Sequence, residues 1–166
     1  MNLARLYPEG RLRFRGEDFH AAFGRGGIRF EKQEGDGSTP AAVLPLRRIL
    51  YRADRVARPQ ATVPTEPLAP NDGWCDDPAH PDYNRQIVLP HSARHEELWR
   101  RDNLYDLIGV LGWNDSPTMR DRGSAIFLHV ARPYWAPTEG CVALALPDLL
   151  RLLAAGCHGI DATGER

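Results

Sequence analysis

A thiol attacks a carbonyl well only as its thiolate, so a nucleophilic cysteine needs a base or a positive field beside it. Cys141 and His129 are the two residues of this chain whose types and surroundings suit that chemistry. His129 closes the apolar run Ala125-Ile126-Phe127-Leu128, and Cys141 follows Thr138-Glu139-Gly140 at the start of a second run. A histidine leaving one strand and a cysteine entering the next can meet in space. Cys141 would then attack a peptide carbonyl while His129 handles the proton. Gly140 has no side chain, so a substrate carbonyl can approach the backbone there, with the amides of Gly140, Cys141 and Val142 aimed at the developing oxyanion. The pair alone proves little, because a buried cysteine beside a satisfied histidine is the common outcome.

The elements that must position these residues read as mostly β. Residues 3 to 15 alternate around a Pro8-Glu9-Gly10 turn and predict one or two short strands. Phe23 to Phe30 is a glycine-rich loop entering a short strand. It lacks the GxGxxG spacing and a following helix, which argues against a nucleotide cradle. Glu34-Gly35-Asp36-Gly37 is turn chemistry, too short for a calcium loop of about 12 residues. Leu44 to Tyr51 reads as a half-buried strand and residues 52 to 73 as one long loop. His91 to Trp99 reads as a short helix, and Tyr105–Trp113, Ala125–Val130 and Val142–Leu146 as strands. Pro147 to Gly156 predicts a helix: proline suits its first turn, Asp148 its positive end, and Gly156 stops it. His158 to Arg166 reads as a frayed tail. The expectation is a single mainly β domain over residues 1–166, a sandwich or small barrel with one or two short helices, one of them near the C-terminus.

Composition bounds the function. A formal net charge of −1 and the lack of a long basic run argue against nucleic acid as partner. No apolar stretch approaches the roughly 20 residues of a membrane span, and the N-terminal segment has no apolar h-region. Three cysteines cannot all pair within the chain, which suits a free thiol. His91 and His95, four apart, would share a helix face as metal ligands do, with Glu96 or Asp76-Asp77 adding carboxylates. The pattern is not H-E-x-x-H, so no metal and no cofactor is expected. Cys75 has no companion motif and reads as inert, and Trp113 as core.

The segment from His129 to Val142 resembles the catalytic motif of the L,D-transpeptidases of the YkuD type: a histidine at a strand end, a loop, then Ser/Thr-x-Gly-Cys-Ile/Val, here Thr138-Glu139-Gly140-Cys141-Val142. Lys32, Glu34, Asp36, Gly37, Thr39 and Pro40 resemble the family's second signature, and the likeness spans about residues 24 to 155. It implies a YkuD-like β-sandwich or barrel and a two-step acyl transfer between peptidoglycan stem peptides. Cys141 forms a thioester and expels a D-residue. His129, oriented by a main-chain carbonyl, later deprotonates the acceptor amine of diaminopimelate. Two positions depart from the family pattern: Ala143 stands where an arginine is usual, and Val130 where a glycine is usual. Arg132 is the nearest basic replacement, beside a solvated loop arginine as its plainer reading. Thr138, Trp74, Tyr134 and Trp135 complete the expected substrate contacts; the two loop aromatics would cover the thiol or pack on the sheet. The departures and Gly73-Trp74-Cys75-Asp76-Asp77-Pro78 are similar to a short branch associated with links from L-alanine at stem position 1 to meso-diaminopimelate at position 3. The resemblance implies a periplasmic setting, and with no sign of an oligomer in the sequence a monomer is expected. Its rivals are a stem-peptide hydrolase of the same fold, a non-catalytic wall-binding module, and a metal hydrolase built on His91 and His95.

Overall fold

The computed structural model describes residues 2–164. Its strands, in chain order, are β1 (Leu3–Tyr7), β2 (Arg11–Phe14), β3 (Glu17–His20), β4 (Ile28–Arg29), β5 (Thr39–Pro40), β6 (Val43–Tyr51), β7 (Thr65–Pro67), β8 (Asp72–Cys75), β9 (Gln86–Val88), β10 (His95–Glu97), β11 (Leu107–Leu111), β12 (Phe127–Val130), β13 (Val142–Leu144) and β14 (Gly159–Asp161). One helix, α1 (Leu146–Ala154), lies near the C-terminus; the only other helical piece among the described residues is a single tight turn at Pro133–Trp135. The main sheet runs β13-β12-β11-β6-β14-β1-β2-β3, with β7 added alongside β6. Its two ends meet: Ala22 and Ala143 exchange both backbone hydrogen bonds at 2.9 Å, which nearly closes the sheet into a barrel. The mainly β architecture and the C-terminal helix follow the sequence reading.

Side-chain alternation then sorts residues onto two faces. Leu128, Val130, Val142 and Leu144 point into the larger core with Leu6, Leu12, Leu44, Ile49 and Ile160. Helix α1 lays Leu149, Leu152 and Leu153 onto that core. Phe127 and Cys141, on the other face of the same strands, join a second cluster with Ile108, Tyr105, Trp74 and Leu98. A small sheet, β10-β8-β9, covers this second face. The candidate site lies on that side.

Three local expectations are corrected. His91 to Trp99 is not a helix: His95–Glu97 is strand β10, antiparallel to β8. His91 and His95 therefore share no helix face. His95 Nδ1 bonds the Ala93 carbonyl at 2.7 Å, while His91 Nε2 meets Asp82 at 3.1 Å. Residues 52 to 73 are not one loop, because Thr65–Pro67 runs parallel to β6 and β8 begins at Asp72. The tail is not frayed through its described part: β14 lies inside the main sheet, between β6 and β1. Residues 165 and 166 of that expectation lie outside the described residues. All three misreadings concern very short strands, whose conformation is set by distant partners rather than by local pattern.

Candidate active site

The ladder that joins β12 to β13 is parallel and sets Leu128 opposite Val142 and His129 opposite Ala143. Cys141 is thus abreast of Phe127, and alternation turns Cys141 and His129 to the same face of the sheet. Both line one cleft of about 270 Å³, together with Lys32, Glu96, Arg132 and Thr138.

His129 is buried, and its Nδ1 lies 2.8 Å from the carbonyl oxygen of Val130. A carbonyl can only accept, so Nδ1 carries the hydrogen and Nε2 keeps its lone pair. A main-chain carbonyl thus fixes the ring with Nε2 free to accept a proton. Burial, with the Arg132 and Arg100 charges adding to it, pulls its pKa down to about 4. The Cys141 thiol is also buried. It donates to the Ala125 carbonyl at 3.3 Å and accepts the Phe127 amide at 3.4 Å. Burial pushes its pKa up to about 12, reinforced by Glu96 and opposed by the Phe127 amide and Lys32. No hydrogen bond joins thiol to imidazole. With the imidazole pulled down and the thiol pushed up, the resting pair is uncharged on both sides.

The loop that delivers Cys141 is held from two sides. Thr138 Oγ1 donates to the Cys141 carbonyl at 2.6 Å and accepts the Gly140 amide at 3.1 Å. Thr39 Oγ1 donates to the Gly140 carbonyl at 2.8 Å and accepts the Gly24 amide at 2.9 Å. Behind Thr39, Asp36 receives Lys32 Nζ at 2.6 Å, the Ser38 amide and hydroxyl at 2.8 Å, and the Gln33 amide at 2.9 Å. Burial would raise the Asp36 carboxyl, but these donors outweigh it and hold it well below the usual carboxylate range. The Lys32-to-Pro40 stretch is therefore a clasp on the cysteine loop. Gly140 owes its identity to that clasp: its φ is +137°, and a Cβ there would lie 2.7 Å from the Ser38 carbonyl. Its amide faces Thr138, and that of Val142 is turned into the β12–β13 ladder, which leaves the Cys141 amide as the remaining expected oxyanion donor.

The other expected residues separate. Arg132 and Thr138 line the cleft. Val142 turns its side chain into the larger core. Trp74 lies outside the cleft lining: its ring packs edge-on against Phe127 at 5.0 Å, and its Nε1 donates to Asn84 at 3.0 Å. Tyr134 is 96% exposed with φ +57°, and Trp135 stacks on His20 at 4.1 Å. Neither ring lines the cleft in this conformation. Cys75 and Cys157 are buried and free like Cys141.

Sequence reasoning missed the role of Tyr105 and Glu96. Tyr105 sets its ring edge-on to His129 at 5.4 Å and to Phe127 at 5.8 Å, and its hydroxyl donates to Glu96 Oε1. Both line the cleft. An aromatic at a strand start and one acid in His-Glu-Glu carry no local mark of such a contact.

A family model described as YkuD, L,D-transpeptidase catalytic domain, matches residues 1–155. No curated protein and no solved structure matches the chain.

Proposed function

Starting from the fact that this chain belongs to the YkuD family of L,D-transpeptidase catalytic domains, a family that acts on peptidoglycan, we propose that it joins stem peptides through a thioester on Cys141. The observation that carries this reading is the placing of Cys141 and His129 on one face of adjacent strands, open to one cleft. The fixed Nδ1–H leaves Nε2 as the proton acceptor.

In the first half-reaction the thiol turns from the Ala125 carbonyl to His129. Nε2 takes its proton as Sγ attacks the carbonyl of the donor's L-residue. The amide of Cys141 stabilises the oxyanion, since Val142 is in register with Leu128 and its amide is turned into the β12–β13 ladder. His129 passes the proton to the departing amine, and the thioester remains. In the second half-reaction the side-chain amine of an acceptor diaminopimelate attacks the thioester, His129 takes a proton from nitrogen, and the thiol is restored. Arg132, in the cleft wall, replaces the charge that Ala143 lacks and holds a substrate carboxylate. Thr138 holds the loop that carries the nucleophile. The short branch resembled by Gly73–Pro78 points to L-alanine at stem position 1 as donor residue and to a periplasmic setting. Among the described residues no helix is long and apolar enough to cross a membrane.

Incubating the protein with purified stem-peptide donor and acceptor, then weighing both protein and products, tests this. The expected result is one acyl adduct on Cys141 and a new amide-linked dimer, both lost in Cys141→Ala with an unchanged melting transition. Dimer formed by Cys141→Ala would end the proposal. Shortened stems with no dimer would identify the thioester's acceptor as water.

A further inference from the structure

An amine that resolves a thioester has two protons to lose at neutral pH. It arrives as an ammonium, whose lone pair is blocked, and sheds a second proton once nitrogen bonds to carbon. His129 takes only one of these. The other needs a base that the ammonium meets inside the cleft.

The charges of the cleft wall are mostly matched. Lys32 is bound to Asp36 at 2.6 Å, Arg100 to Asp102 at 2.7 Å, Asp76 to Arg94 at 3.1 Å, and Glu139 to Arg25 at 2.9 Å. Among the described residues, two wall carboxylates, Glu34 and Glu96, have no basic group within 4.0 Å. Glu34 Oε1 is held by the Tyr83 and Ser124 hydroxyls and ties the clasp to the strand entering β12. Glu96 is held by one neutral donor, the Tyr105 hydroxyl, and that same ring packs on His129. A partly buried carboxylate with no ion-pair partner among the described residues, held by the residue that packs on the imidazole and lining the same cleft, is a seat for a cationic ligand.

We infer that Glu96 is the acceptor-side base: its carboxylate receives the ammonium of the incoming amine and takes the first of its two protons. This rests on the transpeptidase reading above and deepens it. The step balances as follows. R–NH3+ and Glu96–COO− become R–NH2 and Glu96–COOH. The amine then bonds to the thioester carbon, the C–S bond breaks, and the second proton passes by His129 Nε2 to the departing sulfur. Glu96 afterwards releases its proton to water. Burial raises the Glu96 carboxyl, Asp76 and Glu34 add to this, and the Tyr105 hydroxyl and Arg100 oppose it. A raised carboxyl is a better base for this task.

The test separates the half-reactions. For Glu96→Gln, acyl adduct formation on Cys141 is expected to be retained and no slower than in the wild type, because a charge that raises the thiol is gone, and release by hydroxylamine, a nucleophile neutral at pH 7, is expected to be retained with it. Transfer to a stem-peptide amine is expected to fall about 100-fold or more. The deficit should narrow as pH rises and the free amine fraction grows. Amine transfer at the wild-type rate would overturn the inference. So would loss of adduct formation or of hydroxylamine release in a variant that melts like the wild type, since Glu96 would then serve the whole site. Should Glu96→Gln lose that transition, Tyr105→Phe takes its place. It keeps the ring and the carboxylate but removes a bond that lowers the Glu96 carboxyl, so the acid limb of amine transfer is expected to move to higher pH; an unmoved limb overturns the inference. If the wild-type protein forms no thioester, it is the transpeptidase reading that fails. If it acylates and transfers while Glu96→Gln equals it, only the role of Glu96 fails.

Discussion

Cys141 and His129 rest uncharged because each is removed from water, and that choice has consequences that pH exposes. With the thiol pushed up to about 12, the thiolate fraction grows about tenfold per pH unit below that value. Alkylation of Cys141 by iodoacetamide, followed by peptide mass, is expected to accelerate at that slope from pH 7 to 9. A rate already level at pH 7 would reveal a preformed thiolate–imidazolium pair and contradict the neutral resting state. His129 adds a folding dependence of its own. Its folded pKa, about 4, lies below the ordinary 6.5, so the unfolded chain binds this proton more readily. The neutral ring's contribution is full above pH 6.5 and is lost as pH falls through 4, a change of up to about 3 kcal/mol. Denaturant melts of wild type and His129→Gln at pH 7 and pH 4.5 measure it: the gap between the pH values should shrink in the variant.

At the scale of elements, the cysteine loop depends on a segment about a hundred residues earlier in the chain. Gly140→Ala meets both the positive φ and the Ser38 carbonyl at 2.7 Å. It is expected to destabilise the fold by about 2–4 kcal/mol and to slow acylation, read by chemical denaturation and adduct mass. Thr39→Val leaves the Gly24 amide and the Gly140 carbonyl without their side-chain partner. It should cost about 1–3 kcal/mol, with wild-type stability contradicting the clasp. Much of this was legible beforehand. Gly140, Thr138 and the Asp36–Thr39 stretch are residue types that the geometry demands, so their pattern survives in one dimension. Glu96 was not legible. It reaches the site only because β10 pairs with β8, setting Glu96 opposite Trp74, and a three-residue strand has too little alternation to announce itself. His91 and His95 misled for the same reason: four-residue spacing implies a shared face only on a helix.

The whole molecule closes through pairings that skip far along the sequence, and the last of them lies beyond the matched family span. That span ends at residue 155, yet β14 follows it and enters the sheet between β6 and β1, with Ile160 opposite Leu44 on one side and Ala4 on the other. Without β14, both neighbours lose hydrogen-bond partners, and the β1–β3 ribbon is left attached through the Ala22–Ala143 exchange and the bonds of Phe23 and Arg25 to Thr138 beside the site. Ile160 is fully buried in the larger core. Ile160→Asp would place an unpaired carboxylate in the larger core, a cost of about 4 kcal/mol or more and a large part of the stability of a domain this size. The expected outcome is loss of the cooperative melting transition, and with it loss of Cys141 acylation, although residue 160 does not line the cleft. The neighbouring Arg5–Asp161 pair, at 3.8 Å and with Arg5 42% exposed, supplies the contrast: Arg5→Ala should change stability by no more than about 1 kcal/mol. Equal effects from the two substitutions would mean that β14 lies on the barrel without holding it closed.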